Sequence, residues 1–158
     1  MPTPYDVPAQ DFIEKVAKHL KDNVEEVKPL PWSFAVKTGA HTQNQPDNPD
    51  WWFVRAASLL RKIYMKEQVG VMRLRAEYGG RKRFGFSPQH ARLGGGANIR
   101  KILQQLEVAG LVTAVEGKGR TMTSEGRKLL DRLATELLKE PKGKEEKETR
   151  EVKETRKR

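Results

Sequence analysis

Apolar residues recur at helical spacing along most of the chain, interrupted by short breaks of Pro and Gly. Phe12, Ile13, Val16, Ala17 and Leu20 share one helical face, predicting a helix from about residue 9 to residue 22; Pro8 suits its first turn. Lys28-Pro29-Leu30-Pro31 ends that run, and Trp32, Phe34 and Val36 form a short extended or single-turn element. A polar loop over residues 41–50 carries Pro46 and Pro49. Asp50 is placed to cap a helix over residues 51–68, with Gly70 just past its end; Phe53, Ala56, Ala57, Leu60, Ile63 and Tyr64 make its buried face. Residues 71–78 read as one short helix, and residues 79–96, GGRKRFGFSPQHARLGGG, as a long basic loop. Ile99, Ile102, Leu103, Leu106 and Ala109 then mark a helix closed by Gly110. A strand over 111–115, a turn over 116–120 with two Gly and a return strand over 120–123 make a hairpin. Thr123 or Ser124 caps a last helix bearing Leu129, Leu130, Leu133, Leu137 and Leu138.

The order helix, short helix, loop, helix, strand, turn, strand is a winged-helix layout: a mainly α domain with a small β-hairpin wing. Helix-turn-helix modules mostly read duplex DNA with their second helix, although a fold does not compel its use. One winged-helix-like domain therefore spans residues 1–138. Beyond it, residues 139–158 contain only Val152 as a large aliphatic and are expected to be a charged, flexible tail.

Charge adds the first functional information. The 158-residue chain has a formal net charge of +10. Residues 55–101 hold 12 Lys and Arg against 2 Asp and Glu, an excess equal to that of the whole chain, while residues 1–54 are net acidic. A concentrated basic block on a folded domain is the footprint of a nucleic-acid binder. With no Cys there are no disulfides, zinc fingers or thiol chemistry. His19, His41 and His90 lie far apart, with no carboxylate at ligand spacing, and Ser58 and Ser87 have no recognisable triad. No enzyme, cofactor or metal is implied. No apolar run approaches the ~20 residues that span a bilayer, and the Pro-rich start lacks the apolar stretch of a signal peptide, so the expected location is intracellular.

Four groups of residues are candidates for contact. At ~100° per residue, Arg55, Lys62 and Lys66 fall on one face of the central helix, opposite its core stripe, with Arg61 at the far edge. None has an acidic partner one helical turn away, so the stripe gains no helix salt bridge. Trp51 falls on the basic side and either meets a ligand or folds back onto the core. In the basic loop, Arg81, Lys82 and Arg83 precede Phe84 and Phe86; such cations pair phosphates, and the two rings either stack on unpaired bases or join the core. Gly94-Gly95-Gly96 opens the helix bearing Arg100 and Lys101, where free N–H groups could hold a phosphate. Lys118 and Arg120 at the wing form the fourth group.

The blocks WWFVRAASLLRKIY, EYGGRKRFGFSPQHARLGGG, IRKILQQLEVAGL and GRTMTSEGRKLLDRLA together are far more specific than a generic winged helix. Through them the chain resembles the archaeal and eukaryotic small-subunit ribosomal protein family S19e, in an archaeal form, over nearly its whole length from Asp6-Val7-Pro8 to about Leu138. That resemblance implies an all-α winged-helix-like protein of the cytoplasmic ribosome. It implies a place in the head of the small subunit, in contact with small-subunit rRNA and neighbouring ribosomal proteins. It also implies, by kinship with eukaryotic members, a part in small-subunit assembly and rRNA maturation. The rival from another class is a winged-helix transcription regulator on duplex DNA. Such regulators typically dimerise through an extra apolar helix, whereas here the terminal helices are needed for the core, so the free protein is expected to be a monomer. Replacing Arg55 or Arg61 by a neutral polar residue is expected from the helical wheel to spare folding and to impair binding.

The tail yields a prediction of its own. Its few apolar groups cannot offset an ordering entropy of ~1–2 kcal/mol per residue. A chain truncated after Lys139 should melt within a degree or two of the full chain; a loss of many degrees in a thermal melt would show that the tail docks.

Overall fold

A computed structural model of the protein describes residues 2–139; the sequence expectation for the tail concerns residues that, apart from Lys139, lie outside them. Helix α1 spans Ala9–Asn23, and a 3-10 turn follows at Pro31–Phe34. Then come α2 (Trp51–Lys66), β1 (Gln68–Val69), α3 (Val71–Glu77), β2 (Gly80–Phe84), β3 (Ser87–Arg92), α4 (Gly96–Val108), β4 (Val112–Val115), β5 (Gly119–Met122) and α5 (Ser124–Lys139). The result is a helical domain with two small antiparallel sheets, one of order β1-β5-β4 and one the β2-β3 pair.

Helix α2 is the axis of the core. It packs against α1, α4 and β5, and α1 also meets α5. Its buried set is wider than the helical wheel predicts: besides Phe53, Ala56, Ala57, Leu60 and Ile63 it includes Trp51, Trp52 and Leu59. A wheel assigns one apolar face to a helix, but a helix covered from several sides buries several faces. Trp52 is fully buried, with its ring edge-on to Trp32 at 5.8 Å and its indole N–H donated to Gln105 Oε1 at 2.9 Å. Tyr64 is only half-buried; its hydroxyl donates to Asp131 at 2.8 Å, tying α2 to α5. Burial and that hydrogen bond push the Tyr64 pKa up to about 12.

The element boundaries differ from expectation in three places, each for a local reason. Asp50 stands at the N-cap position of α2 but makes no side-chain cap; its carboxylate accepts a hydrogen bond from Lys21 Nζ at 2.7 Å, linking α1 to the start of α2. Gly70 does not end α2. Glu67 takes the positive φ there, at 60°, and Gly70 instead precedes α3 in extended conformation. The two residues between them, Gln68 and Val69, pair with Thr121 and Arg120 as an unexpected third strand. Residues 79–96 are not a loop. They form a β-ribbon with Gly80 opposite Arg92, Arg81 opposite Ala91 and Lys82 opposite His90, and an irregularity before Phe84 meets Ser87. Because every residue of β3 is exposed, no apolar alternation betrays the strands in the sequence.

The second hairpin and its flanking helices follow the sequence closely. Gly110, with φ +73°, ends the α4 segment. Thr123 caps α5: its Oγ1 accepts the Gly126 N–H at 3.1 Å and donates to the Gly110 carbonyl at 2.8 Å. Gly119 combines φ +101° with a close approach, since a Cβ there would sit 2.6 Å from the Val69 carbonyl oxygen. Only Gly lets β1 close onto β5 at that point.

Two measurements follow from this packing. Leu60→Ala or Ile63→Ala should cost ~2–5 kcal/mol in denaturant unfolding, as expected for fully buried residues. Gly119→Ala should destabilise clearly more than Gly117→Ala, because Gly117 shares a positive φ but has open space where the Cβ would go. Equal losses would mean that backbone conformation alone, and not the approach of β1, requires Gly119.

Candidate nucleic-acid interface

The basic block of the sequence divides into two populations. The first lies between α2 and α3. Arg55 is half-buried, with its guanidinium carbon 4.1 Å from the centroid of the Tyr78 ring, and Lys62 Nζ lies 4.0 Å from the same centroid. The Tyr78 hydroxyl is 2.6 Å from Ser58 Oγ. Lys62 donates to Glu77 at 2.9 Å, and Lys66 donates to the other oxygen of the same carboxylate. The two lysines of a stripe that lacks an acidic partner within its own helix thus share the one carboxylate of α3, while Arg55 lies on the Tyr78 ring.

These contacts shift the ionisation of the groups involved. Burial pulls the Arg55 pKa down while Tyr78 opposes it, and an arginine so placed stays charged at neutral pH. Burial pushes Tyr78 up, against the Ser58 hydrogen bond and the Arg55 charge. At Glu77 burial acts to raise the pKa, but the hydrogen bonds and charges of Lys66 and Lys62 outweigh it and hold the carboxyl below its ordinary value. The contribution of this ion pair to stability is therefore full above the ordinary glutamate range and lost as the pH falls through the lowered value.

Of the two readings of Trp51, the structure shows the one in which it folds onto the core, so it is not placed at the surface with the cations. It is 8% exposed, in the main core cluster, with its ring 5.3 Å from that of Trp52 and nearly perpendicular to it. Arg120 of the wing is half-buried and turned inward, 3.5 Å from Glu107 of α4. Arg61 is also half-buried, and its Nε has no hydrogen-bond partner among the described residues.

The triple glycine is a crossing point of backbone segments. The Gly94 N–H donates to the Arg75 carbonyl and the Gly95 N–H to the Thr38 carbonyl, each at 2.8 Å, so neither is free for an anion. A Cβ on Gly94 would lie 2.9 Å from the Tyr78 carbonyl oxygen, and one on Gly95 2.9 Å from that of Thr38. Arg75, absent from the sequence candidates, donates its Nε to the Gly94 carbonyl at 3.1 Å. The ring of His41 fills the space beside Gly39 and Gly80. Glycine is needed here so that the segments around residues 38, 78 and 94 can meet at the root of the ribbon.

The second population faces outward. Arg81 and Arg83 are exposed on β2, and Lys82 is half-buried between them. Arg100 and Lys101 are exposed on α4, and Lys118 at the tip of the second hairpin. Neither strand of the ribbon carries a carboxylate. Phe86 is fully exposed at the ribbon tip. Among the described residues no group of three or more His, Cys, Asp or Glu could hold a metal ion, and no helix is long and apolar enough to cross a membrane. Of the residues that sequence reasoning missed, Glu77 and Tyr78 matter most. Glu77 carried a signal, as one of only two acidic residues in the block 55–101.

Comparison with known proteins decides the family. The model of the family described as ribosomal protein S19e matches residues 3–140. The chain belongs to the ribosomal protein S19e family. Small ribosomal subunit protein eS19 of Aeropyrum pernix is 49% identical over 136 residues, covering 85% of this chain and 89% of that protein. The eS19 protein of Haloarcula marismortui is 42% identical over 144 residues, covering 89% and 94%. Among eukaryotic relatives, eS19A of Schizosaccharomyces pombe is 43% identical over 135 residues, covering 85% and 93%. As an S19e protein the chain is a ribosomal component and not an enzyme.

The two populations of cations predict different mutant behaviour. Arg55→Gln in this S19e protein should lower the melting temperature, because it removes a half-buried cation from the Tyr78 ring, an interaction of ~0.5–2 kcal/mol. Arg100→Gln should leave melting unchanged within ~0.5 kcal/mol. This reverses the expectation for Arg55 drawn from the helical wheel, and paired thermal melts of the two variants decide between the readings.

Proposed function

We propose that the chain is a structural component of the small ribosomal subunit that binds its rRNA and supports assembly of the subunit. Membership of the S19e family supports the place in the subunit. The observation that carries the RNA reading is the exposure of Arg81 and Arg83 on the β2–β3 ribbon, whose strands carry no carboxylate, together with that of Arg100 and Lys101 on α4. In this reading Arg81, Lys82, Arg83, Arg100, Lys101 and Lys118 neutralise phosphates, and RNA is recognised by shape through its backbone. Arg55, Lys62, Lys66 and Arg120 act one step back, holding the helices and the wing that carry the contact residues. Arg61, half-buried on α2, is proposed to contribute its positive charge to RNA binding.

The finer fold reading belongs here too. Helices α3 and α4 followed by the β4–β5 hairpin and α5 have the order of a winged helix, with Lys118 at the tip of the wing. The same order would suit a DNA-binding regulator, and family membership favours the ribosome over a promoter. The free protein is proposed to be a monomer; a stable dimer in light scattering at micromolar concentration would count against the ribosomal reading.

Each phosphate neutralised releases counterions, so affinity for deproteinised small-subunit rRNA should fall linearly with salt on a log–log plot. Combining Arg81→Gln, Arg83→Gln and Arg100→Gln should shallow that slope by about one unit per lost contact and reduce co-sedimentation with small subunits at moderate salt, without altering the melt. Affinity that is retained and insensitive to salt would contradict electrostatic binding.

A further inference from the structure

The tip of the β2–β3 ribbon combines features that the phosphate-binding reading leaves unused. Phe84 and Ser87 are paired, so Gly85 and Phe86 form a two-residue turn. Gly85 has φ +69°, while Glu67 is the only non-glycine residue with positive φ among the described residues; the turn thus has the pattern of type II′, with Gly first. This geometry places Phe86 at the outermost position of the ribbon. Its ring is fully exposed, the most exposed of the large apolar side chains among the described residues. An aromatic ring held in water forgoes the ~1.5–3 kcal/mol that burial would contribute, so it adds nothing to the stability of the fold. Gly85 would meet no atom within 4 Å if it bore a Cβ, so Gly is there for the turn that projects Phe86 and not for want of space.

We propose that the ribbon is an arm for unpaired nucleotides: Phe86 stacks on an extruded base of the RNA while Arg81 and Arg83 hold the phosphates beside it. The proposal rests on the rRNA-binding reading and specifies the kind of RNA that this arm takes. Charge favours RNA over a protein partner, since residues 80–92 carry four basic side chains other than His and no acidic one, the composition of a surface that tracks a phosphate backbone. An aromatic tip between such cations matches the way single-stranded loops and bulges are held, with a base on the ring and cations on its flanking phosphates. A continuous RNA duplex keeps its bases stacked and would leave the ring without a partner. A two-stranded ribbon anchored at its root by the glycine crossing can carry such a ring well away from the helical body.

The test uses small subunits from which the endogenous S19e protein has been stripped, rebound with the full chain or its variants, and base-selective chemical probing of the rRNA. The wild-type chain should change the reactivity of an unpaired base. Phe86→Ala should bind about tenfold more weakly, the size of one base–aromatic stack, restore the reactivity of that base, and melt as the wild type does. Phe86→Tyr should behave as the wild type. Unchanged affinity for Phe86→Ala overturns the proposal, as does weaker binding with no base altered, which would assign the tip to a protein neighbour. Failure of the wild-type chain itself to rebind would instead overturn the ribosomal function on which the proposal rests.

Discussion

Burial of α2 on several sides is the constraint from which the rest of the molecule follows. A helix carrying Trp51, Trp52, Phe53, Leu59, Leu60 and Ile63 cannot leave a broad face in water. α1, α4 and β5 cover it, and α5 reaches it through the Tyr64–Asp131 hydrogen bond. What remains of its surface is a narrow strip bearing Arg55, Ser58, Lys62 and Lys66, too crowded with positive charge to stand unaccompanied. Glu77 and Tyr78, at the end of α3, fit that strip with one carboxylate and one aromatic face. The position of α3 is thereby coupled to the side chains of α2, and the ribbon that begins at Gly80 is coupled to α3.

The root of the ribbon shows how packing is converted into a projecting surface. Tyr78 is held by Ser58 and Arg55, Arg75 binds the Gly94 carbonyl, and the N–H groups of Gly94 and Gly95 are bonded to Arg75 and Thr38. Three backbone segments approach more closely there than side chains would permit, with His41 filling the remaining space. Such a junction fixes the direction of the two strands without burying them. The strands can then present Arg81, Arg83 and Phe86 with little contact to the body. The proposed RNA contacts require this separation, since a cation consumed by the fold is not available to a phosphate.

Much of the architecture was legible in the sequence because it depends on local periodicity and on backbone chemistry. The apolar spacing of α1, α4 and α5, the glycine that ends α4, the Thr123 cap and the β4–β5 turn all follow from residues close together in the chain. The ribbon was not legible as strands, because a ladder exposed on both sides has no hydrophobic alternation to reveal it. β1 was not legible either: two residues become a strand only because Gly119 lets another strand come close.

By itself the sequence determined the helical class, the family blocks and the concentration of positive charge in residues 55–101. Which of those charges face solvent was decided only by the tertiary structure. Arg55, Lys62 and Lys66 look equivalent to Arg81, Arg83 and Arg100 as cations of one basic block, yet the former meet Tyr78 and Glu77 across a helix junction. Trp51 and Phe86 likewise are both aromatic residues near cations, one placed in the core by the helices around α2 and the other held in solvent by a two-residue turn. Periodicity reports which face of an element is apolar. It carries no information about which distant element arrives to cover a polar face, because that depends on contacts between residues far apart in the chain.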